Sequence, residues 1–261
     1  MRWAAVRIRR CGTEQRHDGR MMYSEPRFLD AGEAALVVEF GREVDPAAND
    51  RVLALDAVLA AQSVAGLREL VPTYRSLMIH YDPLILSRGA LVALAQQALA
   101  RSAGETAQSQ SWTLPCCYDL PYGEDLDEAA AVLGITRDRA IALHIAARYR
   151  VYMYGFAPGY AYLGGLPTEL AISRRPAPRP PHPVGAILIG GGLCGVATFP
   201  MPTGWYVMGR TPARLYARER EEAFLISPGD TLHFESVDVA TFDALEARAA
   251  QGELVARKEG A

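Results

Sequence analysis

The sequence predicts an α+β protein of two domains, a small β-α-β-β-α unit followed by a β-rich unit of closed-barrel or sandwich type. Three observations carry that reading. The first part of the chain alternates strand-like apolar runs with apolar stripes at helical spacing. Residues 101–111 are small and polar, a linker by composition. After His144 the pattern changes to short β runs punctuated by glycine and proline. At 261 residues and 50% hydrophobic side chains, the chain has ample material for two such cores.

Taken in order, the segment from Met1 to Met22 carries Arg2, Arg7, Arg9, Arg10, Arg16 and Arg20. No apolar stretch follows these charges, so a signal peptide is excluded, although charge alone would suit a transit peptide. Residues 1–24 read as a disordered extension, with Met21 or Met22 as an alternative first residue. Ala34–Phe40 reads as a buried strand. Asp45-Pro46 supplies an N-cap and a first-turn proline, Val52, Leu55, Val58 and Leu59 form a helical stripe, and Gly66 stops it. Strands follow at Leu67–Val71 and Leu77–Tyr81, then a helix capped by Ser87 with Leu91, Leu94, Ala95, Ala98 and Leu99 on one face. This is most of a split βαβ unit, over residues 25–105.

The second domain, residues 106–240, opens with a strand over Trp112–Tyr118. Two short helices follow, one ending at Gly134 and one capped by Thr136. Strands are expected at Arg148–Met153, Ala186–Ile189, Trp205–Met208, Ala223–Ile226 and Thr231–Glu235. A C-terminal helix and tail complete the chain, the helix starting near Val239 and the tail region covering residues 241–261.

Composition limits function. A formal net charge of −3 argues against nucleic acid as a partner. No apolar run approaches the roughly 18 residues that span a bilayer, so no membrane is expected. Cys11, Cys116, Cys117 and Cys194 lack metal-ligand spacing, which suits a reducing cytoplasm, and no metal centre is expected. Gly190-Gly191-Gly192-Leu193-Cys194-Gly195 matches G-x-G-x-x-G, but Pro200 and Pro202 stand where the required helix would run, so it reads as a glycine-rich β-turn. Val196 and Ala197 likewise exclude a Walker A loop. His80, His144 and His233 fall in expected strands or helices and read as packed residues.

The chemical interest lies in residues 151–212. Arg174, Arg175, Arg179 and Arg210 can each grip a carboxylate or phosphate in a bidentate fork. Arg174 and Arg175 read as solvated loop charges; Arg210 follows an apolar strand, where a charge needs a partner. His182, between prolines, could be presented to a ligand or transfer a proton. Tyr152, Tyr154, Phe156, Tyr160 and Tyr162 recur at every second position. Beyond Gly155, Phe156 and Tyr160 are expected on a surface or at a site rim.

The motifs Tyr152-Met153, Gly155-Phe156, Pro158-Gly159, Tyr162 to Leu166, Pro178-Arg179, Gly204-Trp205, Gly209-Arg210-Thr211-Pro212 and Pro228-Gly229-Asp230 resemble one family. So do Ala35–Gly41, Asn49 to Val52, Val71 to Leu77, Tyr81-Asp82-Pro83 and Leu143-His144. The family is that of the 5-oxoprolinase B subunit, which includes the KipI kinase inhibitor and the allophanate hydrolase subunit 1 (carboxyltransferase) domain. The resemblance covers about residues 30–235. It implies an α/β N-terminal domain followed by a cyclophilin-like β-barrel. It also implies a protein that acts with a homologous C subunit and an A subunit to open 5-oxoproline to glutamate, using ATP and Mg²⁺.

Within that family, Arg179, Arg210, Thr211, Phe156, Pro158, Gly159, Tyr162 and Trp205 would bind substrate or anion, and Arg210 and His182 are the catalytic candidates. The chain departs from the pattern at Leu193-Cys194, where the family carries Gln-Thr, at His182 to Ala186, and at Met201 to Gly204. These departures are expected inside the site. Two other functions remain open. One is an inhibitor resembling KipI that docks on a sensor histidine kinase. The other is a carboxyltransferase-like component related to urea carboxylase; it would need a biotin carrier, and no Met-Lys-Met segment occurs here. Prolyl isomerase activity is disfavoured, because the likeness to cyclophilin is one of fold only.

Overall fold

The computed structural model describes residues 14–17, 20–102 and 109–259. The chain separates into two compact units, Met1–Ala107 and Gln108–Ala261. Residues 1–13, most of the expected N-terminal extension, lie outside the described residues.

The first unit is one antiparallel sheet covered by two helices. Its strands are β1 (Glu14–His17), β2 (Arg20–Asp30), β3 (Ala35–Gly41), β4 (Leu67–Pro72) and β5 (Ser76–Tyr81), in the order β1-β2-β3-β5-β4. Residues 20–24, placed by sequence in the extension, are therefore strand, and Tyr23 is buried. β5 lies between β3 and β4, which is the split βαβ arrangement. Helix α1 (Pro46–Ala60) starts where Asp45 Oδ1 accepts the Ala47 N–H at 2.7 Å. It ends at Ala60, six residues before the expected stop at Gly66. Helix α2 (Arg88–Ser102) begins after Ser87, whose hydroxyl accepts the Ala90 N–H. The core joins Leu36, Val38 and Phe40 of β3 to Val52, Leu55 and Leu59 of α1 and Leu91, Ala95 and Ala98 of α2. Alternation on the strand and helical spacing on the helices deliver those faces.

In the second unit an eight-stranded sheet runs β13-β10-β11-β8-β7-β14-β6-β15. The strands are β6 (Ser111–Cys116), β7 (Tyr149–Tyr154), β8 (Ala161–Gly164), β10 (Ala186–Gly190), β11 (Leu193–Val196), β13 (Tyr206–Arg210), β14 (Thr231–Ser236) and β15 (Arg257–Lys258). A separate two-stranded sheet pairs β9 (Arg179–His182) with β12 (Met201–Thr203). Helices α3 (Leu126–Leu133), α4 (Arg137–Ala146) and α5 (Val239–Ala250) complete the unit, with Gly134 in the left-handed C-cap of α3 and Thr136 capping α4 as expected.

The α+β class holds, but the sheet does not close into a barrel. Its ends meet at a single bridge, where Cys117 and Arg210 exchange backbone hydrogen bonds of 2.9 and 3.0 Å. Two competing partners account for this. The free edge of β6 is taken by β15 at Trp112 and Thr113. On β13, Val207 is taken by Asp125, whose N–H donates to Val207 O at 3.0 Å and whose carboxylate accepts the Val207 N–H at 2.8 Å. The tail is thus part of the sheet. The expected strand Ala223–Ile226 is only an isolated bridge, Tyr216 to Phe224.

Both faces of the β10–β11–β13 region are buried. Ile187, Ile189, Val196 and Met208 enter the main core; Leu188, Val207, Trp205 and Tyr160 form a second cluster on the other face. Continuous apolar runs such as Ala-Ile-Leu-Ile produce this two-sided burial. Gly191 and Gly192 join β10 to β11 with φ of 61° and 77°, a turn that favours glycine twice over. The G-x-G-x-x-G match is therefore a β-hairpin, as its prolines indicated.

Candidate functional site

Three loops of the second unit line a cavity of about 370 Å³: the loop before β10, the loop after β11 and the segment after β13. Val184, Ala197, Phe199, Leu215, Tyr216 and Ala217 supply apolar lining, with Arg210, Thr211, Arg214, Arg218, Glu219 and Glu246 around them. The walls are tied together by short-range contacts. Thr198 Oγ1 donates to Pro158 O at 2.6 Å. Gly159, at φ 70°, lets the β7–β8 turn lie against Tyr216, where a Cβ would stand 2.6 Å from the tyrosine Cβ. Behind the lining, the Arg220 guanidinium donates to the carbonyls of Arg214, Leu215 and Ala223 at 2.8, 3.3 and 3.1 Å.

Arg210 ends β13 beside this cavity, already engaged. Its Nε donates to Val184 O at 2.8 Å, and its Nη2 pairs with Glu246 of α5. The guanidinium also lies 5.4 Å from the Phe242 ring centre and 5.7 Å from that of Tyr122. Thr211 is buried; its N–H donates to Gly185 O at 2.9 Å and its hydroxyl accepts the Ala213 N–H at 3.2 Å. Of the residues predicted from sequence, Arg210 and Thr211 line the cavity, while Pro158 and Gly159 touch its walls at Thr198 and Tyr216.

Arg179 and His182 do not line the cavity. Arg179 Nη1 donates to Asp125 Oδ2 at 2.7 Å, and Nη2 pairs with Glu124. Arg175 lies 2.8 Å from Glu128 and 3.6 Å from Asp125 in the same cluster. These arginines neutralise the acidic run that holds the edge of β13. His182 is buried, with Nδ1 donating to Pro183 O at 3.0 Å and Nε2 without a hydrogen-bond partner. Burial lowers its pKa below the usual histidine value and favours the neutral ring.

Tyr162 and Trp205 belong to the second apolar cluster, with ring centres 6.2 Å apart, and Trp205 lies against Gly190. Phe156 stands apart: it is 75% exposed at the apex of the β7–β8 turn and adopts φ 68°. A phenylalanine in the left-handed region is strained. Tyr160, expected with it on a rim, is buried beneath.

The departures at Leu193-Cys194 also fall outside the cavity. Cys194 lies in the main core with its sulfur 3.8 Å from His144 Nε2, and burial raises the thiol pKa. His144 is the hub of this buried group. Tyr118 OH is 2.7 Å from its Nδ1, its ring stacks on Phe234 at 4.8 Å, and burial pushes its pKa down to about 3. The sequence reading missed Glu246, Arg214, Tyr216 and Phe199. Glu246 lies on a helix whose spacing marks only an apolar face, and nothing in its neighbours points to β13.

Among the described residues no group of three or more His, Cys, Asp or Glu side chains could hold a metal ion, and no helix is long and apolar enough to cross a membrane.

Several known proteins resemble this chain in sequence or in fold. The model of the carboxyltransferase domain, subdomain C and D, matches residues 26–226. The B subunit of 5-oxoprolinase from Bacillus subtilis (strain 168) is 29% identical over 224 residues, 82% of this chain and 93% of that protein. That of Escherichia coli O157:H7 is 32% identical over 204 residues, 78% and 92% respectively. The crystal structure of TTHA0988 resembles this chain with a TM-score of 0.70 at 36% identity, over 78% of this chain and 40% of that one. This chain thus spans about two fifths of the length of that solved relative. Kluyveromyces lactis urea carboxylase matches with a TM-score of 0.72 over 94% of this chain and 24% of that one; at 17% identity the likeness is one of fold.

Proposed function

The chain belongs to the carboxyltransferase-domain family, subdomains C and D, and on that premise we propose that it is the B subunit of an ATP-dependent 5-oxoprolinase. It acts with a homologous C subunit and an A subunit to convert 5-oxo-L-proline to L-glutamate in the cytoplasm. The observation that carries this reading is the near-complete alignment with two proteins named as the B subunit of 5-oxoprolinase, 93% and 92% of their lengths. The carboxyltransferase-like alternative has support from the family model and from a likeness of fold, with no near-complete alignment to a named carboxylase.

A lactam carbonyl is a poor electrophile, and ATP can activate it by phosphorylating its oxygen. The described residues do not by themselves fit ATP and Mg²⁺. The glycine-rich run is a hairpin, Arg175 and Arg179 are neutralised by carboxylates, and no group of three or more His, Cys, Asp or Glu side chains among the described residues could hold a metal ion. We therefore assign no phosphoryl-transfer step to this chain, and nucleotide binding falls to the complex.

The test is co-purification with the C subunit followed by ADP release dependent on 5-oxoproline. The isolated chain is expected to be inactive; robust turnover by it alone would count against a shared site. Arg210 separates two roles in the same assay. As an anion ligand, Arg210→Lys loses the bidentate fork and about tenfold in activity, near 1.4 kcal/mol, with little change in melting temperature. As half of the pair with Glu246, Arg210→Ala destabilises the protein while Arg210→Lys keeps activity.

A further inference from the structure

We propose that the cavity beside β13 binds a compact organic monoanion built on a small ring with an apolar methylene edge, and that Arg214, not Arg210, is its charge partner. The proposal rests on the 5-oxoprolinase reading, since 5-oxo-L-proline is a member of that ligand class.

Size comes first. A volume of about 370 Å³ lies near the lower end of the roughly 300–1,000 Å³ usual for ligand pockets, which favours compact molecules. The lining chemistry is next. Val184, Ala197, Phe199, Leu215, Tyr216 and Ala217 make most of the wall apolar, suited to the methylene edge of a small ring. Around them stand three arginines, Arg210, Arg214 and Arg218, against two glutamates, Glu219 and Glu246. Glu246 is committed to Arg210 and Glu219 only loosely to Arg214, so Arg214 and Arg218 together offer one spare positive charge, enough for a single carboxylate and too little for a polyphosphate.

The arginines are not equivalent. Arg210 is held by Val184 O and Glu246 and has its ring-facing side on Phe242. Arg214 is 48% exposed, and its nearest carboxylate, Glu219, is 4.0 Å away and 68% exposed. A pair so open to water is weak. Arg214 can therefore turn to a ligand at small cost, while its own carbonyl stays fixed by Arg220. The wall is braced by the chain itself, through the Arg220 hydrogen bonds, the Thr198 bond to Pro158 and the Gly159 contact on Tyr216. Binding then orders little additional chain.

The experiment titrates the full chain with 5-oxo-L-proline and with 2-pyrrolidinone, the same ring lacking the carboxylate, followed by amide NMR shifts and calorimetry. The expected result is binding of 5-oxo-L-proline with shifts confined to residues 197–199, 211–219 and 246, and no binding of 2-pyrrolidinone. Arg214→Gln should weaken binding about tenfold with an unchanged melting temperature. Ala217→Phe should abolish binding by filling the cavity. Because Ala217 is buried, its variant is judged only if it unfolds cooperatively, and Arg214→Gln carries the test in either case. No binding by the wild-type chain, equal binding of both probes, or undiminished binding in Arg214→Gln would overturn the proposal. The enzyme reading fails separately: binding as described, together with a reconstituted complex that hydrolyses no ATP on addition of 5-oxoproline, keeps the cavity site and removes the 5-oxoprolinase assignment.

Discussion

The two units bury polar groups in different ways. In the first, buried polar side chains are few: Asp45 caps α1, and Asn49 Nδ2 donates to Thr73 O at 3.1 Å, 24 residues on. Its core is otherwise hydrocarbon, assembled from neighbouring strands and helices. In the second, buried polar groups join parts distant in sequence. Asp230 accepts the N–H groups of Gln110 and Ser227, both at 2.8 Å, and the Trp112 indole N–H at 3.2 Å. Asp125 pins β13, and His144 joins Tyr118 to the neighbourhood of Cys194. The cavity occurs in this second unit, where polar ties and glycine contacts hold loops in place. The lesson is one of division: the first unit is stabilised by pattern, the second by specific contacts that leave a shaped opening.

The strongest break in this contrast is Asp230→Ala. It strands three donors and should destabilise the second unit by about 3–5 kcal/mol, since hydrogen bonds to charged acceptors contribute about 1.5–3 kcal/mol each and are not additive. Hydrogen exchange should show lost protection in β6 and β14 while β3 and β5 stay protected; equal loss in both units would erase the distinction.

Acid should also act selectively. The His144 pKa falls from 6.5 in the unfolded chain to about 3 when folded. Between these values the unfolded state binds the extra proton, so stability rises with pH through this window and is lost as pH drops from 6.5 towards 3. The slope from this residue is at most about 1.4 kcal/mol per pH unit. Urea unfolding across that range should give a shallower pH dependence for His144→Gln than for wild type; parallel profiles would remove His144 as the cause.

Gly159→Ala sharpens the comparison at the cavity. Its Cβ would collide with Tyr216 in a backbone conformation unfavourable to alanine, for a cost of about 2 kcal/mol. Thermal unfolding reads the stability, and the Tyr216 environment should change by NMR. The smallest effect belongs to the first unit. Asp45→Ala removes one cap and should cost about 1 kcal/mol, with protection in α1 reduced and the shifts of residues 197–219 unchanged.

The first unit was largely legible in sequence because each signal is local. Asp45-Pro46, Ser87 and the alternation through β3 sit next to the elements they specify. Thr136 and Gly134 were legible in the second unit for the same reason. What escaped depends on distant pairing. β9, β12 and β15 are too short to carry a period, and β15 exists only because β6 offers an edge. The open sheet follows from Asp125 and Arg257-Lys258 taking edges that a barrel would use, and no residue pattern marks that competition. The glycine-aromatic motifs pointed to Arg210 and Thr211, which line the cavity, and to Pro158 and Gly159, which touch its walls. They did not reveal that Arg179 is neutralised by Glu124 and Asp125, or that Glu246 arrives from a helix much further along the chain.

The placement of β6 has a consequence for the order of assembly. It is the first strand of its unit, yet both of its neighbours, β14 and β15, come from the far end of the chain; Ser111 pairs with Thr231 and Trp112 with Lys258. Contacts across so many residues form slowly, because a long loop must close before they repay its entropy. The first unit can mature as it leaves the ribosome. The second must wait for nearly its whole length, holding Trp112 and Leu114 without their strand partners meanwhile. During synthesis that apolar strand is the segment most exposed to misassociation, so a chaperone would be expected to act there first.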